Sequence, residues 1–133
     1  MVIVVDKIAW IRIENGLILS TLSAGKDVYY LPGGKRDPGE SDLQTLVREV
    51  REELSVDVVL DTAEHLGTFQ AQAHGMAPGS IVQMACYTSD YTGDLKPDNE
   101  IAELVWFTYA DRWRSSPVDQ LVFEHLHQAG LLK

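Results

Sequence analysis

Glu49, Glu52 and Glu53 stand at i, i+3 and i+4 in the run Arg48-Glu49-Val50-Arg51-Glu52-Glu53. On a helix these positions share one arc. Like charges at such spacings destabilise a helix by about 0.2–0.5 kcal/mol per pair. Arg48 and Arg51 offset part of that repulsion, and Arg48 sits one turn before Glu52, within ion-pair reach. A solvated face of mixed charge carries the same pattern, so the carboxylates do not by themselves define a site. The preceding loop changes the reading. Gly33-Gly34 supplies a backbone that can bend tightly and approach a ligand closely, and backbone groups of such a loop can contact phosphate or a metal ion. Glu40 precedes the helix near its positive end, where a carboxylate is favoured. Lys35 and Arg36 are placed to bind phosphate oxygens, although either also suits a solvated loop.

Taken in order, Gly34, Glu40, Arg48, Glu49, Val50, Glu52, Glu53 and Val56 reproduce a known spacing: Gly, five residues, Glu, seven residues, Arg-Glu, an aliphatic, one residue, Glu-Glu, one residue, Gly, an aliphatic. The segment 34–56 thus resembles the Nudix box, the signature of the Nudix hydrolases. At about 5–7% per fixed position, the matches at Gly34, Glu40, Arg48, Glu49, Glu52 and Glu53 fall far below the chance level for a chain of this length. Ser55 replaces the second box glycine. Glycine serves there because the chain leaves the helix in a left-handed conformation; serine can adopt it at a cost of about 1 kcal/mol or leave the helix by a different turn. The departure touches the helix exit and not the carboxylates.

The resemblance implies a hydrolase acting on a diphosphate linkage with Mg²⁺ or Mn²⁺ as cofactor. Glu49, Glu52 and Glu53 would be the metal carboxylates, and the Gly33 carbonyl a further ligand. Oxygen-only ligation suits those hard cations. Arg48 would orient the glutamates through charge-assisted hydrogen bonds, and Glu40 would fix the loop behind them. In several family members the general base is a loop glutamate outside the box. Glu100 resembles that position, Glu103 is its neighbour and competitor, and Glu52 or Glu53 could serve instead.

The substrate implied is a nucleoside diphosphate linked to another group. Ala71 and Gln72 stand where ADP-ribose hydrolases often carry proline. His74 and Gly75 lie in the stretch where dinucleoside polyphosphate hydrolases often carry tyrosine, and the upstream signature of coenzyme A hydrolases is missing. Elimination leaves a MutT-like nucleoside triphosphate pyrophosphohydrolase. A Nudix-fold module that senses nucleotide without turnover is the alternative, set against by the full complement of box carboxylates. Isopentenyl diphosphate isomerase chemistry ranks last, because Cys86 is poorly placed for it. A homodimer, common in the family, is compatible with the chain.

Positioning these residues falls to a mixed set of elements. Val2–Ile13 reads as strand, Asn15-Gly16 as a hairpin turn, and Leu17–Leu22 as the returning strand. Val28–Leu31 is a short strand entering the glycines. Ser41–Leu54 is the clearest helix, with Ser41 and Gln44 as a capping box and Leu43, Leu46, Val47, Val50 and Leu54 as its apolar stripe. The glutamate arc lies opposite that stripe. Residues 56–60, 67–72, 81–88 and 104–108 read as strands. Ser116-Pro117 opens a last helix that Gly130 closes. The expected fold class is α/β, a mixed β-sheet sandwiched between helices, as a single domain over 1–133.

The 133 residues are 45% hydrophobic and 23% charged, an ordinary globular balance. A net charge of −9 argues against an extended nucleic-acid surface. Cys86 is the single cysteine, sits in an apolar run and fits a reducing compartment. The N-terminus lacks the basic flank of a signal peptide, and no apolar run reaches the length of a membrane span. The cytoplasm is the expected location. His65, His74, His125 and His127 show no ligand spacing, and Trp10, Trp106 and Trp113 are expected in the core or as pocket walls.

Overall fold

A computed structural model describes residues 3–73 and 75–133. His74 and the first residue of the expected opening strand, Val2, lie outside them. Strand β1 (Val4–Trp10) leads into a hairpin of β2 (Ile13–Glu14) and β3 (Leu17–Ser23). Asn15 and Gly16 turn it with positive φ of 54° and 76°, the backbone of the tight hairpin turn that Asn-Gly favours. Then follow β4 (Gly33–Lys35), α1 (Asp42–Leu54), β5 (Asp57–Val58), β6 (Glu64–Gln72), β7 (Ile81–Thr88), β8 (Tyr91–Thr92), β9 (Ile101–Phe107) and α2 (Pro117–Gln128). A mixed sheet runs β4-β1-β7-β6, with β1 and β7 parallel and the other pairs antiparallel. A second, antiparallel sheet runs β2-β3-β9, and β5 pairs with β8.

Side-chain alternation along the strands divides the core in two. Ile8 and Trp10 of β1, Leu19 of β3 and Tyr87 of β7 pack with Leu46, Val50 and Leu54 of α1. Their neighbours Ala9, Ile18, Met84 and Cys86 point the other way, onto Val118, Val122, Phe123 and Leu126 of α2. Each helix therefore covers one face of the strands, and the expected α/β architecture is found.

Helix α1 starts as its sequence dictates. Ser41 Oγ accepts from the Gln44 N–H at 3.2 Å, and the Gln44 side chain accepts from the Ser41 N–H at 2.9 Å. At its other end Ser55 takes the left-handed conformation (φ 63°, ψ 24°), with its N–H bonded to the Arg51 carbonyl. The loop before β9 satisfies the last carbonyls of the helix. The Lys96 N–H donates to Leu54, the Asp98 N–H to Glu53, and Asn99 Nδ2 to Glu52.

Three expectations need correction. Residues 28–31 form only isolated bridges, Thr21 to Tyr30 and Tyr29 to Ser115. The ladder beside β1 is made instead by the glycines, because close antiparallel pairing suits a backbone without side chains. Strand character after α1 ends at Val58, where Leu60–Thr62 turns as a 3-10 helix. Trp113 is neither core nor pocket wall: it is 71% exposed and lies beneath the Arg112 guanidinium.

Because Ser55 occupies a conformation that disfavours any Cβ, Ser55→Gly is expected to stabilise the protein by about 1 kcal/mol. That gain corresponds to roughly 3–6 °C in Tm, with catalysis unaffected. A thermal melt showing no gain would mean that the 3.5 Å contact of Ser55 Oγ with the Lys96 carbonyl outweighs the strain.

Candidate functional site

Strand β4 is the exposed edge of the mixed sheet, and its register decides what it offers to α1. Trp10 N–H bonds to the Pro32 carbonyl and Arg36 N–H to the Asp6 carbonyl, so the ladder bonds fall on alternate residues. Gly33 and Lys35 occupy the intervening, non-hydrogen-bonded positions, opposite Ala9 and Lys7. Their backbone groups therefore point away from β1. An edge strand must satisfy or shield such groups, and α1 does both. The Gly33 N–H donates to Glu53 Oε1 at 2.9 Å, and the Lys35 carbonyl accepts from Arg48 Nη2 at 3.1 Å.

Packing requires glycine at 33, and glycine at 34 leaves room for the Glu49 carboxylate. Gly33 has φ 140°, and a Cβ there would overlap the Ile8 carbonyl. A Cβ on Gly34 would lie 2.6 Å from the Glu49 carboxylate. The Glu49–Glu53 side of the arc thus does not face solvent, as a position opposite the apolar stripe suggested. It fits into the slot that side-chain-free backbone leaves. Glu53 is 7% exposed, Glu49 is largely covered, and only Glu52 reaches well into water.

Arg48 organises the loop side of this slot. Its Nε and Nη2 hold the two Glu40 oxygens at 2.8 and 2.9 Å, and its Nη1 holds Glu49 at 2.8 Å. Glu52 lies 3.5 Å away, within ion-pair distance. The guanidinium, aided by the Asp37 N–H, holds the Glu40 carboxyl down to about 2. Glu40 also accepts from Thr45 Oγ1 at 3.0 Å, so it locks the loop onto the first turn of α1.

Glu49 and Glu53 behave oppositely. Burial raises the proton affinity of both. For Glu53 burial pushes the carboxyl up to about 8, and the charges of Glu49 and Glu100 add to the rise, against the Gly33 N–H and Lys7. Glu100, although exposed and in the loop, is therefore close enough to act on both carboxylates. The bonds from residues 96–99 to the end of α1 put it there.

Among the described residues no group of three ligating side chains is already converged on one point. Glu53 is turned to Gly33, and Glu49 to Arg48. The chemistry of the slot nonetheless fits a divalent cation. Its donors are all oxygens, and its carboxylates raise one another's affinity for positive charge.

Beside the slot, on the α2 face, a cavity of about 300 Å³ is lined by Val5, Lys7, Tyr30, Gly34, Lys35 and Val118 among others. A smaller one, about 160 Å³, connects Lys7 and Tyr30 to Gly33 and Glu53. Of the two expected phosphate-binding cations, Lys35 faces the cavity. Arg36 is engaged elsewhere, by Asp6 at 3.0 Å and Asp42 at 2.6 Å. Two charged groups near the cavity escaped the sequence reading. Lys7 lies over the Tyr30 ring at 5.0 Å. Asp119, 2% exposed, accepts from the Leu31 N–H at 3.0 Å, and burial pushes its carboxyl up to about 6. A charge on the inward face of β1, between Val5 and Ala9, is the signal that could have flagged Lys7. Cys86 is fully buried against α2, and burial drives its thiol up, away from nucleophilic use.

The shifted carboxyls fix a pH dependence. Glu53 loses its proton near 4.5 when unfolded and near 8 when folded. Between those values the unfolded chain binds fewer protons, so stability falls as pH rises. Asp119 adds the same sign between 3.8 and about 6. In chelator, Tm is expected to fall from pH 5 to pH 8, and Glu53→Gln to flatten the upper part of that fall. A wild-type profile that rises over this range would contradict the assignment.

The comparisons with known proteins give the family and the fold. The NUDIX domain model matches residues 8–126. The CTP pyrophosphohydrolase of Escherichia coli (strain K12) is 32% identical over 102 residues, covering 74% of this chain and 70% of that protein. The solution structure of the E. coli ORF135 protein superposes with a TM-score of 0.75 at 28% identity, over 96% of this chain and 94% of that one. The MutT protein from Methanosarcina mazei Go1 gives 0.76 at 19% identity, over 97% and 96%, a likeness of fold. Family, fold and the slot between α1 and β4 converge: this chain belongs to the Nudix family and is a hydrolase of phosphorus-containing acid anhydrides.

Proposed function

We propose that this enzyme is a MutT-like nucleoside triphosphate pyrophosphohydrolase, splitting its substrate with water into a nucleoside monophosphate and diphosphate. The observation that carries the reading is the buried carboxylate slot of Glu49 and Glu53 opening beside a cavity large enough for a nucleoside. The name of the E. coli relative makes CTP the first substrate to test. Nudix hydrolases generally use divalent cations, and here Mg²⁺ or Mn²⁺ fits the oxygen donors. Glu49, Glu52, Glu53 and the outward-facing Gly33 carbonyl would hold it. When bound, such a cation offsets diphosphate charge and acidifies an attacking water.

The chain's own groups complete the reaction. Glu53 or Glu100 at the rim takes the water proton as the oxygen–phosphorus bond forms. The attack is on one phosphorus of the α–β anhydride, and the P–O bond to the departing diphosphate or nucleoside monophosphate breaks on the opposite side. Arg48 keeps Glu49 and Glu40 in place throughout, and Lys35 receives phosphate oxygens. The single cysteine, buried and unpaired, suits work in a reducing cytoplasm. Among the described residues no helix is long and apolar enough to cross a membrane.

Turnover should be measured with Mg²⁺ or Mn²⁺ on a panel of nucleoside triphosphates, nucleotide sugars and dinucleoside polyphosphates. A nucleoside triphosphate is expected to lead, with diphosphate released and activity abolished by chelator. Preference for a nucleotide sugar or a dinucleotide would refute the subclass. On the best substrate, Glu53→Gln is expected to lower kcat by about 10²–10⁴-fold while circular dichroism stays native. Near-normal turnover of that variant would refute the role given to Glu53.

A further inference from the structure

The cross-strand pair of Lys7 and Lys35 is unexplained by folding. The two residues are directly opposed in the antiparallel ladder of β1 and β4. Their position is a non-hydrogen-bonded one, where opposed side chains come closest and share a face. Like charges so placed destabilise a sheet. Both side chains line the larger cavity. Lys7 also lines the smaller one with Gly33 and Glu53, so it stands where the carboxylate slot meets the nucleoside-sized space.

Lys7 has two carboxylates within electrostatic reach, Glu53 on the slot side and Asp119 on the α2 side. Neither forms an ion pair with it among the described residues, and Asp119 Oδ2 is occupied by the Leu31 N–H. Tyr30 supports the alkyl stem and ammonium through its ring face at 5.0 Å. The lysine is therefore held half-buried at the junction with donors to spare.

We propose that Lys7 and Lys35 form an anion clamp for the phosphate that stays on the nucleoside, with Lys7 as the substrate-binding residue that registers this phosphate between the carboxylate slot and the cavity. An anion between the two ammonium groups removes the cross-strand repulsion, and the clamp sets the distance from nucleoside to scissile bond. This inference deepens the proposed function and rests on it for the identity of the substrate. It needs only that the substrate carry a nucleoside-linked phosphate.

The test compares wild type, Lys7→Met and Lys7→Arg. Calorimetric titration in chelator, without divalent cation, reads the binding of cytidine 5′-monophosphate and of cytidine, or of the matching pair for the leading substrate of the panel. Lys7→Met is expected to weaken monophosphate binding about tenfold or more, to leave nucleoside binding unchanged and to raise KM more than it lowers kcat. Lys7→Arg is expected to recover most of the loss. Equal weakening of both ligands, or of neither, would overturn the clamp and leave Lys7 a structural counter-charge to Glu53 and Asp119. Preference for another nucleoside diphosphate derivative would refute the triphosphate reading alone. Absence of turnover on every compound would refute the proposed function, while the binding titration alone decides the clamp.

Discussion

A single hydrogen bond, from the part-buried Gly33 N–H to the buried Glu53 carboxyl, ties the architecture to the chemistry. It satisfies an edge strand that would otherwise face open space, and it draws a carboxylate out of water. Burial without an ion pair is unfavourable for a charged carboxylate. The protein lessens that cost by raising the group's proton affinity, so the slot holds a proton where a cation is wanted. The arrangement requires glycine at 33, since a side chain there would collide with Ile8, and glycine at 34 leaves room for Glu49.

Everything around that bond fixes its geometry. Leu46, Val50 and Leu54 press α1 onto the sheet at the same height as β4. Arg48 bridges Glu40, Glu49 and the Lys35 carbonyl, and so ties the loop, the helix and the edge strand together. The loop before β9 caps the far end of α1 and carries Glu100 to the rim. On the other face of the same strands, side-chain alternation opens the space bounded by α2. The site thus straddles the sheet edge, with the carboxylates on one face and the cavity on the other.

Much of this was legible in the sequence because it is local. The Asn15-Gly16 turn, the Ser41–Gln44 capping box and the spacing of Glu49, Glu52 and Glu53 need only a few neighbouring residues. The missing glycine marked Ser55 as the helix exit, and the structure selects the left-handed conformation over a different turn. What could not be read depends on pairing across the chain. Grouped with its arc, Glu53 was expected opposite the apolar stripe; it stands two turns after Leu46, at the edge of that stripe, and the β4 register shows that glycine backbone covers this side. Arg36 and Lys35 looked equivalent as adjacent cations. Tertiary contacts with Asp6 and Asp42 separate them. Lys7 and Asp119 belong to no motif, because their significance comes from strands and a helix that meet only in the folded chain.

In the proposed function, a cation entering the slot displaces the proton that burial holds on Glu53. Calorimetric titration of Mg²⁺ or Mn²⁺ into the metal-free enzyme at pH 7, repeated in buffers of different ionisation enthalpy, counts the protons released. With the carboxyl at about 8, release of about one proton per cation is expected from wild type. The Glu53→Gln variant is expected to lose that release. Cation binding to wild type without proton release would contradict the account.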